Sequence, residues 1–123
     1  MSSPLTPGEV VDAIIAGRAR GDLDTSLQYV AETSIDQGEV FTRQDWRTKW
    51  ERIVAGVPDW QITLENSVET GEWVCNRYTI SGTHTGDFFG RPPTGRRFRI
   101  NAMDMVRVRD GQLIEHWAFG DSF

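Results

Sequence analysis

The sequence is short of several things, and each shortage removes a class of function. It has one cysteine, Cys75, so no internal disulfide can form and the chain suits a reducing cytoplasm. It has one lysine, Lys49, at a position that reads as helix surface, so Schiff-base chemistry has a single candidate. Its two histidines, His84 and His116, make no typical catalytic zinc site unless a carboxylate joins them, and HExxH-type spacing is absent. Positive charge is also scarce. The net charge is −5, which gives no general attraction to nucleic acid, and the arginines of the second half are too few to make a nucleic-acid footprint. No apolar run approaches a membrane span. The opening MSSPLTPGEVV has no charged segment followed by an apolar stretch, so nothing in it indicates secretion. Ser34, Ser81 and Ser122 stand in no nucleophile-elbow or triad context.

What is present fits one domain over residues 1–123, with 38% hydrophobic residues and five tryptophans to build a core. Thr6-Pro7-Gly8-Glu9 matches a capping box with proline at the first helical position. Val10, Ala13, Ile14 and Gly17 follow at helical spacing, and Gly21 is a C-terminal stop. Asp22 or Asp24 caps a short second helix bearing Leu23, Leu27 and Val30, and Thr33 to Gln37 is a brief extended segment. Thr42-Arg43-Gln44-Asp45 opens a third helix whose apolar stripe is Trp46, Trp50, Ile53 and Val54, ended by Gly56 and Pro58.

After Pro58 the period changes to two. Trp60 to Val68, Glu72 to Thr85, Arg97 to Arg109 and Leu113 to Phe119 read as strands, separated by Gly71, a Gly/Pro-dense stretch and the hairpin pair Asp110-Gly111. Helices followed by an antiparallel meander predict an α+β domain. The three helices are the only cover for the sheet's apolar face. A curved sheet wrapped around them leaves a closed-ended pocket. Within this pattern GTHTGDFFGRPPTGRRFRI, residues 82–100, is a long hairpin between two central strands. Its arginines Arg91, Arg96, Arg97 and Arg99 are no phosphate cradle, because a strand rather than a helix follows the glycines.

Gly82-Thr83-His84-Thr85-Gly86, Phe89-Gly90, Pro93-Thr94-Gly95, Asp104, Arg107, Asp110-Gly111 and Glu115-His116-Trp117 with Asp121 occur in an order that resembles the SnoaL-like polyketide cyclases. These belong to the nuclear-transport-factor-2-like superfamily, which also holds limonene epoxide hydrolase and ketosteroid isomerase. The resemblance is tight from Gly71 to Asp121 and looser before it. It implies a cone-shaped α+β fold with a deep pocket, often dimeric through the outer sheet face, and usually no metal or organic cofactor. It also implies that Asp121 is a pocket acid/base.

Strand parity extends this to neighbours. If the last strand runs unbroken, Leu113, Glu115, Trp117, Phe119 and Asp121 share a face, so Trp117 and Phe119 line the pocket with Asp121 and His116 faces outward. On the strand before it, Asp104 lies among core-facing residues and needs a partner. Arg77, which matches a recurring superfamily arginine, is the expected one. That pair either fixes strand register or positions a substrate oxygen. The epoxide hydrolase relative has an aspartate two residues after this arginine, where this chain has Thr79, so the Asp-Arg-Asp set is incomplete. His84 is either a general base at the pocket mouth or a hydrogen-bonded rim histidine. Gln37 stands where many relatives carry histidine, and its amide suits substrate oxygens. Tyr29 and Trp50 are further candidates for the pocket wall, with core packing as their alternative.

The expectation from sequence is a cofactor-free acid/base enzyme for a small apolar oxygenated metabolite, closing a ring or isomerising it. Asp121, Arg77, Asp104 and His84 are its candidate catalytic residues. Trp117, Phe119, Gln37, Tyr29 and Trp50 are its candidate substrate contacts. An epoxide-opening enzyme and a non-catalytic ligand-binding dimer module are the alternatives. The chain ends two residues after Asp121, which leaves the pocket open or closed by a partner subunit. The expected partners are therefore a small-molecule substrate and a second copy of the chain, with no nucleic acid and no membrane.

Overall fold

Local side-chain chemistry starts the helices in the computed structural model, which describes residues 5–120. Helix α1 spans Pro7–Ala19, and its capping box is closed on both sides. The Glu9 backbone N–H donates to the Thr6 hydroxyl at 3.2 Å, and the Thr6 N–H donates to the Glu9 carboxylate at 2.9 Å. Helix α3, Arg43–Gly56, repeats the device with Thr42 and Asp45. Between them α2, Leu23–Gln28, is capped by Asp22, which accepts the Thr25 N–H. The chain leaves α2 at Tyr29, so Val30 opens a strand instead of completing the helix's apolar face.

Six strands follow in chain order: β1 Val30–Asp36, β2 Glu39–Thr42, β3 Gln61–Thr70, β4 Trp73–Thr83, β5 Arg97–Arg109 and β6 Gln112–Gly120. They form one curved sheet in the order β2-β1-β6-β5-β4-β3. Every neighbouring pair is antiparallel except β1 and β6, which run parallel. That pairing joins the helix-bearing first half to the meander of the second. The expected α+β architecture is the one observed. The Asp110-Gly111 pair makes the tight reversal before β6, both residues at positive φ (53° and 75°), as a type I′ hairpin turn requires.

The helices lie against the concave face of the sheet. Val10 and Ile14 of α1, Trp46 and Trp50 of α3, and Val74 and Val106 of the sheet form the centre of one buried cluster. Val54 departs from the expected stripe. It is 40% exposed, because the buried arc of α3 consists of Trp46 and Trp50.

The segment between β4 and β5 folds back on the end of α3. The N–H groups of Thr85 and Gly86 both donate to the Gly56 carbonyl, at 3.2 and 3.0 Å. The approach is so close that a Cβ at position 86 would overlap the carbonyl oxygen of Ala55. Gly86→Ala is expected to lower stability by about 1–3 kcal/mol, read as a lower urea midpoint at unchanged slope. An unchanged midpoint would show that the loop can leave α3 without cost.

Candidate active site

A single extra residue decides which side chains of β6 face inward. Val108 pairs with Leu113, but the next residue back on β5, Arg107, pairs with Glu115, so Ile114 is left over as a β-bulge. Beyond it the parity of β6 is reversed relative to Leu113. His116 stands opposite Val106 and Ala118 opposite Asp104, all on the concave side. Trp117 stands opposite Met105 and Phe119 opposite Met103, on the outer side. The expectation from an unbroken strand is therefore inverted: His116 faces the interior, and Trp117 and Phe119 line no inner pocket.

Between helices and sheet lies a cavity of about 250 Å³, at the small end of ligand pockets. Its wall is mostly apolar: Ile14 and Ile15 of α1, Trp50 and Ile53 of α3, and Ile62 and Ile80 of the sheet are among its lining residues. Tyr78, Asp104, His116, Lys49 and Arg18 bring the polar groups.

Four of these belong to one network. His116 Nδ1 is 2.8 Å from Asp36 Oδ1, and His116 Nε2 is 3.2 Å from Asp104 Oδ2. Lys49 Nζ donates to the other oxygen of Asp36 at 2.7 Å. Asp104 also accepts from the Asn76 amide at 2.8 Å and from the Tyr78 hydroxyl at 3.3 Å, and Asn76 in turn accepts from Ser67 at 3.0 Å. The Trp46 ring meets the imidazole edge-on at 5.5 Å, while its indole N–H is satisfied by Ser34 at 2.9 Å.

Elementary valence fixes the proton count. Carboxylates only accept, and a neutral imidazole has one donor and one acceptor. A histidine held between two carboxylates therefore carries both protons, unless one acid holds the second. Burial alone pulls the imidazolium pKa down, but the hydrogen bonds to Asp104 and Asp36 outweigh it and hold it above its ordinary value. Burial likewise pushes Asp36 up, and the bonds from His116 and Lys49 outweigh that, leaving it below the usual carboxylate range. Burial, then the Asp104 charge, pushes the Tyr78 hydroxyl up, so it stays a neutral donor. The arrangement can hold a proton, pass it along a fixed chain and present a hydroxyl to a developing negative charge.

The other residues proposed from sequence divide sharply. Trp50 and Asp104 line the cavity. Arg77 has the expected parity with Cys75 and Thr79, but that face is the outer one. It donates to Asn66 at 2.8 Å, and Asn76, Tyr78 and His116 take its place beside Asp104. Thr79, on the same outer face, donates to Glu65 at 2.9 Å. His84 is buried in the β4–β5 loop, where its Nδ1 meets the Thr94 hydroxyl at 3.2 Å and its ring meets Phe88, outside the cavity wall. The Gln37 amide donates to the Ala118 carbonyl at 3.0 Å and accepts the Ala118 N–H at 2.6 Å, extending the β1–β6 ladder and leaving no amide oriented to a ligand. Tyr29 closes α2 and packs against the core cluster. Asp121 lies outside the described residues. Sequence reasoning missed Asp36, His116 and Lys49 as a set. A signal existed for the histidine: an unbroken register would turn Glu115 toward the core, whereas the bulged one sets it beside Arg107 at 3.9 Å on the outer side.

Among the described residues, no group of His, Cys, Asp and Glu forms a metal-holding cluster, and no helix is long and apolar enough to cross a membrane. A family model described as SnoaL-like polyketide cyclase matches residues 8–123. The aklanonic acid methyl ester cyclase DnrD of Streptomyces peucetius is 38% identical over 48 residues, a match spanning 39% of this chain and only 33% of that protein. The crystal structure of IdmH from Streptomyces antibioticus is 31% identical and superposes with a TM-score of 0.83 over 95% of this chain and 93% of that one. A SnoaL-like polyketide cyclase from Agrobacterium tumefaciens is 18% identical with a TM-score of 0.87, over 96% and 93% of the two chains, and shows the shared fold.

The network also predicts a pH profile. A histidine whose pKa is raised by folding contributes stability in full below about 6.5, and that contribution is lost as pH rises through the folded value. The lowered Asp36 contributes above about 3.9 and loses its contribution as pH falls through its own folded value. His116→Asn, which removes the cation shared by two carboxylates, is expected to cost about 3 kcal/mol or more at pH 6. It should also flatten the decline in stability expected of the wild type on raising the pH above about 6.5. Urea unfolding of both proteins from pH 5 to 9 checks this, and identical slopes would place the titrating group elsewhere.

Proposed function

The chain belongs to the SnoaL-like polyketide cyclase family, and from that premise we propose that it closes a ring within an apolar, carbonyl-bearing polyketide-type substrate by cofactor-independent acid–base catalysis. One observation carries this reading: a histidine fixed between two carboxylates in the wall of a mostly apolar cavity.

The proposed steps balance without an oxidant or reductant. A proton leaves the carbon alpha to a carbonyl and passes to the Asp104–His116 pair, with the charge spread over Asp36 and Lys49. The enolate carbon then bonds to a second carbonyl carbon of the same molecule. The new alkoxide takes the proton back, so the product is an isomer of the substrate. Once Asp104 has taken the proton, Tyr78 turns its single O–H from that carboxyl to the oxygen on which charge develops, the interaction that contributes most in a water-poor site. Asp104 accepts three hydrogen bonds, which hold its carboxylate in one orientation at the cavity wall. The resemblance makes Asp121 a second acid–base candidate.

The outer sheet face supports a dimer as the working form. Val68, Met103 and Phe119 are 69%, 54% and 75% exposed there, with Trp117 and Met105 on the same face. An apolar surface of this kind is normally covered by a partner, and a second copy is the partner proposed.

Turnover of polyketide-derived diketones tests the chemistry, starting with aklanonic acid methyl ester and its free acid side by side. Asp104→Asn and His116→Asn are each expected to lower kcat by about 10²–10⁴-fold, and Asp121→Asn shows whether that residue shares the work. A wild-type protein that closes no ring and exchanges no α-proton with deuterated water would overturn the proposal, as would full turnover in both cavity variants. For the dimer, Phe119→Arg should shift the protein to monomer in sedimentation. A wild-type monomer at working concentration would refute the assembly.

A further inference from the structure

Arg18 is the cavity group that the acid–base network does not use. It projects from α1 into the cavity wall, and its guanidinium carbon lies 5.0 Å from the Trp50 ring centroid and 4.7 Å from that of Trp60. Its Nε is shut off from solvent and has no hydrogen-bond partner. The acid four residues on, Asp22, lies beyond the end of α1, where it caps α2 and sits 3.7 Å from Arg20. Desolvation draws the guanidinium down to about 10, yet at neutral pH it remains a cation.

The charges of the cavity then fail to cancel. Lys49 neutralises Asp36, and protonated His116 neutralises Asp104. Among the described residues, Arg18 is the cavity cation left without an anion. A buried charge of this kind is costly unless something pairs with it. The two indole faces supply part of the compensation and hold the fork in one orientation. The remaining donors match a planar carboxylate, which an arginine fork recognises better than a point charge would. Two indoles beside such a fork also suit the flat ring system to which the acid would be attached.

We propose that Arg18 is a carboxylate-binding group, so that the substrate enters the cavity as a free acid rather than as a neutral ester. This rests on the cyclase reading for the identity of the substrate, but the binding site itself can be tested without turnover. In such a complex the carboxylate anchors one end of the molecule at α1, and the reacting carbonyl lies toward Asp104 and His116. Arg18 would be a positioning and specificity residue, because its partner is a group that does not react.

The test compares two probes of nearly equal shape, 2-naphthoate and 2-naphthamide, by calorimetry at pH 7. Wild type is expected to prefer the acid by about tenfold or more, the factor typical of one charge-assisted hydrogen-bonded pair. Arg18→Met should abolish the preference while leaving amide binding in place. Arg18→Lys, which keeps the charge and loses the fork, should retain part of it. If Arg18→Met does not fold, the wild-type and Arg18→Lys comparisons still decide the matter. Equal affinity for the two probes, a preference that survives in a folded Arg18→Met, or no binding of either probe at millimolar concentration would each overturn the proposal. The first of these is what a purely structural stacking role predicts. Selection of naphthoate without any ring closure would leave this site standing and sink the cyclase reading. Ring closure of an ester as readily as of its acid, with no naphthoate selection, would do the reverse.

Discussion

One imidazolium ties most of the molecule together. His116 sits on β6, and its two nitrogens reach β1 through Asp36 and β5 through Asp104. Asp36 continues to α3 through Lys49, and Asp104 continues to β4 through Asn76 and Tyr78. Four strands and a helix are thus joined by a chain of hydrogen bonds centred on a single ring. The bonds are coupled, because each carboxylate shares its two oxygens among the imidazole and further donors. The network therefore ties α3 to the sheet as well as setting where a proton can travel. The parallel β1–β6 pairing, which is the sheet's one departure from antiparallel order, is closed at the same place by the bond between Asp36 and His116.

The sequence shows most clearly those features whose cause is local. Both capping boxes, the Asp110-Gly111 turn and the change from helical to strand period follow from residues a few positions apart, and each stands where the pattern put it. The inward position of Asp104 was legible from the alternation of β5 alone. What was hidden depends on contacts distant in sequence. The Asp36–His116 contact spans 80 residues, and no periodicity within either strand announces it. The reversal of β6 had a different cause. Alternation gives the right face only while the count is unbroken, and one unpaired residue at Ile114 moves every later side chain to the other side. Arg77 was misplaced by a related error: its strand neighbours were correctly grouped, but they were assigned to the wrong surface.

The division of labour between the two sheet faces explains why both are apolar. The concave face carries Val74, Tyr78, Ile80 and Val106 against the helices and the cavity. The convex face carries Val68, Met103, Met105 and Phe119 toward the exterior. Such a sheet reads as a nearly continuous run of hydrophobic residues in places, and period-two contrast fades where it would be most useful. The polar residues then mark the difference. On the inside they are a connected set with matched charges, apart from Arg18. On the outside Arg77, Thr79 and Asn66 make short local pairs.

The bulge at Ile114 also bears on how such a chain can change over time. Along the rest of β6 a substitution alters one side chain and leaves its neighbours where they are. Gain or loss of a residue anywhere between the hairpin turn and His116 is of another kind. It would exchange the contents of the two surfaces at once, sending the imidazole out and bringing Trp117 and Phe119 in. The interior chemistry and the exterior surface are thus written on alternate letters of one short text, and its reading frame is set by a single unpaired residue. The letters can change one at a time, whereas a change in the length of that text moves both surfaces together.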